Sequence, residues 1–288
     1  MSKNELWRRL NPVELDSYVE ARLQLHYAAQ LPASAASTLL PATDDDSHTA
    51  LSFDAASETL LTGPIEGRVT AVRIGIRIPT FELILIDDSQ QPITSLSLDG
   101  VSCSDGLQWL SEVFRVDRGS AISIPRRGYP DFPAHEIANG QPFHRPQASL
   151  LQTLANAYVD TASVLEAWRV SSDLPSSELR VWPHHFDMAT LVTVSNDGSG
   201  QSMNLGLSPG DAAVPEAYWY VSPWPTPEHE GLPSDLQIGR WQETPWFGAI
   251  APVSDLLRAT DQQSAIAAFF EQAADTAVEL FETGRSQG

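Results

Sequence analysis

Residues 72–100, VRIGIRIPTFELILIDDSQQPITSLSLDG, contain three apolar runs separated by short turns. In the first run four apolar residues alternate with Arg73, Gly75 and Arg77, which is the period of a β-strand with one apolar face. The turns are too short for helical crossovers, so successive strands must pair in antiparallel fashion. The stretch therefore predicts an antiparallel sheet whose second face is polar.

Segments of the same kind recur along the chain. Strands are predicted at 49–61, 69–78, 81–86 and 93–98, and again at 179–194, 202–207 and 217–222. Each set belongs to a half with the same order: a long helix, a turn rich in Pro, Ser and Asp, a histidine-bearing strand, further strands and a helix. This shared order predicts an internal duplication that aligns His48 with His184, with a coincidental α+β rhythm as the alternative.

Helices are predicted where apolar residues recur every three to four positions. The first runs from Pro12 to Leu31, and the Pro, Ser and Asp-rich residues that follow predict a loop. Two more are predicted at 105–114 and over about twenty residues from Leu150. The last has a buried stripe made of Ile266, Phe269, Phe270, Ala273, Ala277, Leu280 and Phe281.

These elements predict an α+β fold with two similar halves, each a mainly antiparallel sheet with helices on one face, packed as one compact unit. Residues 1–125 are expected to form the N-terminal half. Residues 126–147, interrupted by prolines and glycines, are expected to connect it to a C-terminal half at 148–288 that carries the WPHHFD strand.

The amino-acid composition indicates which binding partners and which cellular compartment to expect. The formal net charge is -20, and only 17 of the 288 residues are Lys or Arg, so binding to nucleic acid or an anionic membrane is not expected. The start of the chain has no apolar signal segment, and the single cysteine, Cys103, suits a reducing compartment as a buried thiol. We expect a cytoplasmic protein, with a homo-oligomer as one possible state.

The segment VWPHHFDMATL, residues 181–191, carries two adjacent histidines. In a regular strand His184 shares a face with Trp182, and His185 shares the other face with Asp187. A carboxylate that accepts from one imidazole nitrogen leaves the other free as a base or ligand, so His184, His185 and Asp187 are the candidate catalytic residues. Pro183 cannot donate a ladder hydrogen bond, and a bulge there would redirect both rings. The alternative is that both imidazoles are structural.

Two further groups are considered with this segment. An aromatic wall of Tyr218, Tyr220 and Trp224, together with Trp182, is the candidate ligand-binding surface, with plain core or a subunit interface as the alternative. Metal ligation would need partners for His185 and Asp187 from afar, and the weak candidates are Glu216 and His229, followed by Asp211, Glu230 and His48. HExxH, P-loop, G-x-G-x-x-G and G-x-S-x-G motifs are all absent, so the cofactor is left open.

Several segments resemble a family of uncharacterised bacterial proteins of about this length: RVWPHHFDMATLV, LGLSPGD and EAYWYVSPWP, with LQLHYAAQ and DDDSHTALSFD upstream. WPHHFD also resembles a broader domain family of unknown function. The resemblance spans most of the chain, implies no activity or cofactor, and marks Trp182 to Asp187 as the signature.

The sequence thus predicts a protein that binds a small molecule in a pocket lined by His, Trp and Tyr in the C-terminal half. Two alternatives stay open at this point. One is a metal-dependent hydrolase that uses His184 or His185 with Asp187. The other is a non-catalytic interaction protein with an aromatic interface.

Overall fold

A computed structural model of the chain describes residues 7–67, 69–118, 123–129, 131–195, 197–229, 231–234 and 236–286. The chain forms two compact units whose segments alternate along the sequence. The first unit comprises Asp16–Ala155 and Arg180–Phe186, and the second comprises Met1–Leu15, Asn156–Leu179 and Asp187–Gly288. The segment 126–147, predicted as a connection, falls within the first unit. Glu230 lies outside the described residues.

The fold is α+β with two antiparallel sheets, as predicted. The α-helices are α1 (Leu15–Leu39), α2 (Cys103–Arg118), α3 (Ala148–Ser171), α4 (Val253–Leu256) and α5 (Gln262–Ser286). The strands are β1 (Ser52–Asp54), β2 (Thr59–Leu61), β3 (Val72–Arg77), β4 (Glu82–Asp87), β5 (Pro92–Ser97), β6 (Arg180–Trp182), β7 (Asp187–Thr193), β8 (Ser202–Ser208), β9 (Tyr218–Trp224), β10 (Arg240–Gln242) and β11 (Gly248–Pro252). Among the described residues, no helix combines the length and apolar character that crossing a membrane requires.

In the first unit the strands pair in chain order, β1-β2-β3-β4-β5, and every neighbouring pair is antiparallel. The alternation predicted for β3 is confirmed, because its apolar side chains are buried and Arg73 and Arg77 are part-exposed. The second face is less polar than predicted. Leu61, Ile84 and Ile86 form a small buried cluster of their own on the adjoining strands.

Helix α1 extends past its predicted end. The Pro, Ser and Asp-rich residues after Leu31 were expected to form a loop, but the helix continues through Pro32 to Leu39. A proline inside a helix removes one hydrogen bond and costs about 3 kcal/mol. Every residue from 24 to 36 is buried, so the packing of the small side chains after Pro32 offsets that cost.

Five strands lie in the second unit in the order β10-β11-β9-β8-β7, all antiparallel. Strand β11 is inserted between β9 and β10, whereas the first sheet is a simple meander. Trp219 and Tyr220 point to opposite faces of β9. Trp219 is fully buried, and its Nε1 donates to Thr161 Oγ1 of α3 at 2.8 Å. Strands β10 and β11 were not predicted, because the Pro and Trp-rich passage conceals them.

The N-terminal segment of the second unit is held by side chains far along the chain. The amide of Leu10 donates to Gln262 Oε1 at 2.9 Å, and Gln262 Nε2 donates back to the Leu10 carbonyl at 3.1 Å. The amide of Arg8 donates to Asp160 Oδ1 at 2.8 Å. Asp160 is fully buried in α3, and this burial raises the pKa of its carboxyl to about 7, against the nearby charge of Arg8.

Candidate functional site

The two adjacent histidines lie in a tight turn and not in a strand. Strand β6 ends at Trp182, and β7 begins at Asp187. The amide of Phe186 donates to the Trp182 carbonyl at 2.7 Å, and Phe186 has a φ of 61°, which non-glycine residues rarely adopt. Residues 182–186 are called the imidazole turn below. The predicted strand through both histidines is therefore wrong, and the turn at Pro183 is what redirects both rings.

Helix α1 anchors the imidazole turn from below. The Pro183 carbonyl accepts hydrogen bonds from His26 Nε2 at 2.9 Å and from Gln30 Nε2 at 2.7 Å. The fully buried Phe186 ring stacks on His26, with ring centres 5.1 Å apart and an angle of 10°. His26 and Gln30 are four residues apart, so they share one face of the helix. Neither residue was predicted from the sequence, although both lie at helical spacing within LQLHYAAQ, residues 23–30.

A row of aromatic and imidazole rings includes three residues of the imidazole turn and Tyr129. Tyr129 is 5.7 Å from His184 between ring centres, and Trp182 is 6.0 Å from His184. The rings of His184 and His185 are 4.3 Å apart. His184 and Trp182 are half-buried, and His185 is exposed. Among the described residues, no hydrogen bond is formed by a side-chain nitrogen of any of these three.

Burial lowers the pKa of two histidines at the imidazole turn, His26 and His184. It lowers the pKa of His26 to about 3, against the effect of the Pro183 carbonyl. Burial also lowers the pKa of His184 to about 4, and the charges of His185 and Arg127 act in the same direction. Both rings are therefore neutral at pH 7. A neutral imidazole offers one donor and one acceptor.

Next to the turn lies an ion pair. Arg127 Nη2 is 2.8 Å from Asp46 Oδ2, and the guanidinium also donates to Ser37 Oγ at 3.1 Å. The Arg127 guanidinium carbon lies over the ring of Tyr129, 5.1 Å from its centre. Burial raises the pKa of the Tyr129 hydroxyl, and within the described ranges no hydrogen bond reaches that oxygen. Arg127 and Asp46 thus hold the ring of Tyr129 beside His184.

Asp187, the predicted partner of His185, belongs to the second unit. Its Oδ2 accepts a short hydrogen bond from the Tyr220 hydroxyl, whose pKa is raised well above its usual value by burial and then by the charge of Asp187. The Tyr220 ring lies across Gly206 of the neighbouring strand, where a Cβ would be 2.8 Å from the tyrosine oxygen. Asp187, which was predicted to orient the imidazole of His185, thus accepts a hydrogen bond from Tyr220. The His185–Asp187 pair itself stays a prediction.

The other predicted site residues of the second unit have separate partners. The Tyr218 hydroxyl donates to Asp211 Oδ2 at 2.6 Å, and Trp224 is 68% exposed. Glu216 accepts from the Ser254 amide and hydroxyl at 2.7 and 2.8 Å. His229 stacks on Phe247 with ring centres 4.5 Å apart, and its Nδ1 is 3.9 Å from Glu243 Oε1.

The first unit holds one further metal-ligand candidate, His48, and the single cysteine. His48 lies in a one-turn 3-10 helix, Ser47–Thr49, and its Nδ1 accepts from the Thr43 amide at 3.2 Å. Cys103 is buried at the start of α2, and burial raises the pKa of its thiol to about 11, so it is not a thiolate at neutral pH. Across the described part of the chain, no group of three or more His, Cys, Asp or Glu side chains is placed to hold a metal ion.

A concave cavity of about 750 Å³ lies elsewhere, in the second unit. Its lining comes from residues 236–239 and from 255–268, around the start of α5. No residue predicted to belong to the site lines it. The cavity and the imidazole turn are therefore distinct features.

Comparison of the chain with models of known protein families, with curated proteins and with solved structures gives no match. The resemblance to an uncharacterised bacterial family therefore rests on the quoted segments alone.

Proposed function

We propose that the protein binds a small molecule at the imidazole turn. One observation carries this proposal: the rings of Trp182 and His185 have centres 6.0 and 4.3 Å from that of His184, and no side-chain nitrogen of the three forms a hydrogen bond within the described part of the chain. Polar ring atoms that a fold positions but does not use internally are available to a ligand.

The anchoring of the turn supports this role. The Pro183 carbonyl receives two hydrogen bonds from α1, and Phe186 is fully buried against His26. A site that is already ordered does not lose conformational freedom when a ligand arrives, so more of the contact energy appears as affinity. A left-handed Phe186 is also an unfavourable conformation that persists only where the surroundings enforce it, and such residues cluster at functional sites.

The chemistry of the rings favours a compact planar ligand with both donors and acceptors on its edge. The neutral imidazole of His184 offers one donor and one acceptor, the imidazole of His185 adds two more ring nitrogens, and the indole of Trp182 offers a donor. Their flat faces and that of Tyr129 suit stacking against another ring. We expect a nitrogen-containing aromatic ring of the size of an indole, benzimidazole or purine.

A fragment screen by saturation-transfer NMR tests the proposal. The probes are indoles, benzimidazoles, purines and pyrimidines, and the proteins are the wild type, His185→Ala and the double variant His184→Ala/His185→Ala. His144→Ala is the matched control, because His144 is an exposed histidine of the same unit. We expect wild type and control to bind the same fragments and the double variant to bind them about tenfold more weakly. Identical binding by all four proteins, or no binding by the wild type, would overturn the proposal.

The aromatic wall of Tyr218, Tyr220 and Trp224 remains a separate proposed ligand-binding surface, within the second unit. We also retain the proposal of two similar halves, in which the segment of His48 corresponds to that of His184. The meanders β1-β2-β3-β4-β5 and β7-β8-β9 follow these two segments. Both meanders are antiparallel in chain order, which supports the proposal. A superposition that fails to match these strands and their connections would end it.

A further inference from the structure

The rings of His184 and His185 lie unusually close for neighbouring residues. Their centres are 4.3 Å apart, and the ring planes are inclined by 55°. Consecutive side chains of a regular strand point to opposite faces, so this approach is a product of the turn at Pro183. Neither ring is tied to the protein by a hydrogen bond in the described residues.

This separation matches two imidazoles bound to one metal ion at neighbouring coordination positions. A metal ion lies about 2.0–2.1 Å from an imidazole nitrogen, and therefore about 3.2 Å from the ring centre. Two rings bound at a right angle then have centres about 4.5 Å apart, and at the tetrahedral angle about 5.2 Å apart. The observed 4.3 Å is close to the right-angle value, which square-planar and octahedral ions adopt.

We infer that His184 and His185 together bind one first-row divalent metal ion, with solvent in its remaining positions. The inference rests on the proposed function, because both use ring nitrogens that the protein leaves unbonded. Since no third protein ligand is grouped with them among the described residues, most coordination positions stay open. Imidazole ligands at a right angle favour Cu²⁺ and then Ni²⁺ over Zn²⁺, which prefers tetrahedral sites.

Calorimetric titration of the untagged full chain with Cu²⁺ and with Ni²⁺ tests this inference. We expect one equivalent of Cu²⁺ on the wild type and on the control His144→Ala, with Cu²⁺ bound more tightly than Ni²⁺. His185→Ala, which changes an exposed side chain, should weaken Cu²⁺ binding by at least about tenfold. His184→Ala should do the same, and if it does not fold, His185→Ala decides alone.

Electron paramagnetic resonance of the Cu²⁺ complex supplies a second measurement. The wild-type spectrum should show coupling to two imidazole nitrogens, and that of His185→Ala to one. Unchanged Cu²⁺ affinity in His185→Ala, or a single imidazole in the wild-type spectrum, would overturn the metal site. If aromatic fragments still bind in that case, the proposed function survives; if Cu²⁺ binds but no fragment does, the metal inference stands and the organic ligand falls.

Discussion

The buried carboxyl group of Asp160 should make the stability of the protein fall as pH rises. Asp160 is fully buried and accepts one hydrogen bond, from the Arg8 amide at 2.8 Å. Its Oδ2 has no hydrogen-bond partner in the described part of the chain. A carboxylate in this position lacks the partners that would compensate for its lost hydration, which is why the pKa is raised to about 7.

The size of the effect follows from the two protonation states. In the unfolded chain the pKa of an Asp is about 3.9, and each unit of difference is worth about 1.4 kcal/mol. Because the pKa is higher in the folded state, the stabilisation is complete below about pH 4 and is lost as pH rises to about 7. Between pH 5 and pH 8 these values remove about 2–3 kcal/mol from the free energy of unfolding.

Urea unfolding of the wild type and Asp160→Asn between pH 5 and pH 8 measures this effect. The quantity of interest is the difference in unfolding free energy between the two proteins, because other titrating groups cancel in it. It should shift by about 2–3 kcal/mol in favour of the variant as pH rises. Asp275→Asn, which changes an exposed carboxylate of α5, should show no such shift. A difference that stays constant from pH 5 to pH 8 would refute the reasoning.

Three further predictions concern the turn and the second sheet. His26 has a pKa of about 3, below that of an unfolded histidine, so acidification from pH 7 to pH 5 should lower the free energy of unfolding by about 2 kcal/mol. His26→Gln should not show this decrease. An equal decrease in both proteins, measured by urea unfolding, would contradict the prediction. Gly206→Ala places a Cβ 2.4 Å from the Met188 carbonyl oxygen and should lower the free energy of unfolding by about 1–3 kcal/mol, while Gly128→Ala, which meets no atom within 4 Å, should be nearly neutral. Asp187→Asn and Tyr220→Phe should each lower the free energy of unfolding by about 1–3 kcal/mol, and the double variant should be little less stable than either single variant. Strictly additive decreases would show that the hydrogen bond contributes nothing to stability.

Much of the fold can be predicted from the spacing of apolar residues, because an element that buries one face has apolar residues at regular intervals. The alternation in β3 is confirmed, and so is the stripe on α5 except at Leu280, which is half-buried. The rule failed where tertiary packing overrides local preference. Pro32 normally ends a helix, but it lies in a segment buried on every side, where the neighbouring helical residues pack too favourably for the chain to turn away.

The sequence marks the residues of the candidate site, but it does not predict their geometry. Two adjacent histidines after a proline mark the imidazole turn, yet a strand period assigns their rings to opposite faces. The left-handed Phe186 that brings the rings together leaves no local pattern in the residue types. His26 and Gln30, which support the turn, lie more than 150 residues upstream of it. A periodic pattern in the sequence does not reveal contacts over that distance. Asp160 was missed because a single acidic residue in an apolar helix face gives no motif.

The hydrogen bonds between Leu10 and Gln262 join two residues that are synthesised far apart in time. Leu10 is synthesised before its hydrogen-bonding partner, Gln262, which is 252 residues further on. Domains generally fold as units while the chain grows, and contacts between distant residues form late and slowly. The first unit has all its residues once position 186 has been translated. The second unit also needs Gln262, so its segment around Leu10 stays without this partner while 252 further residues are added.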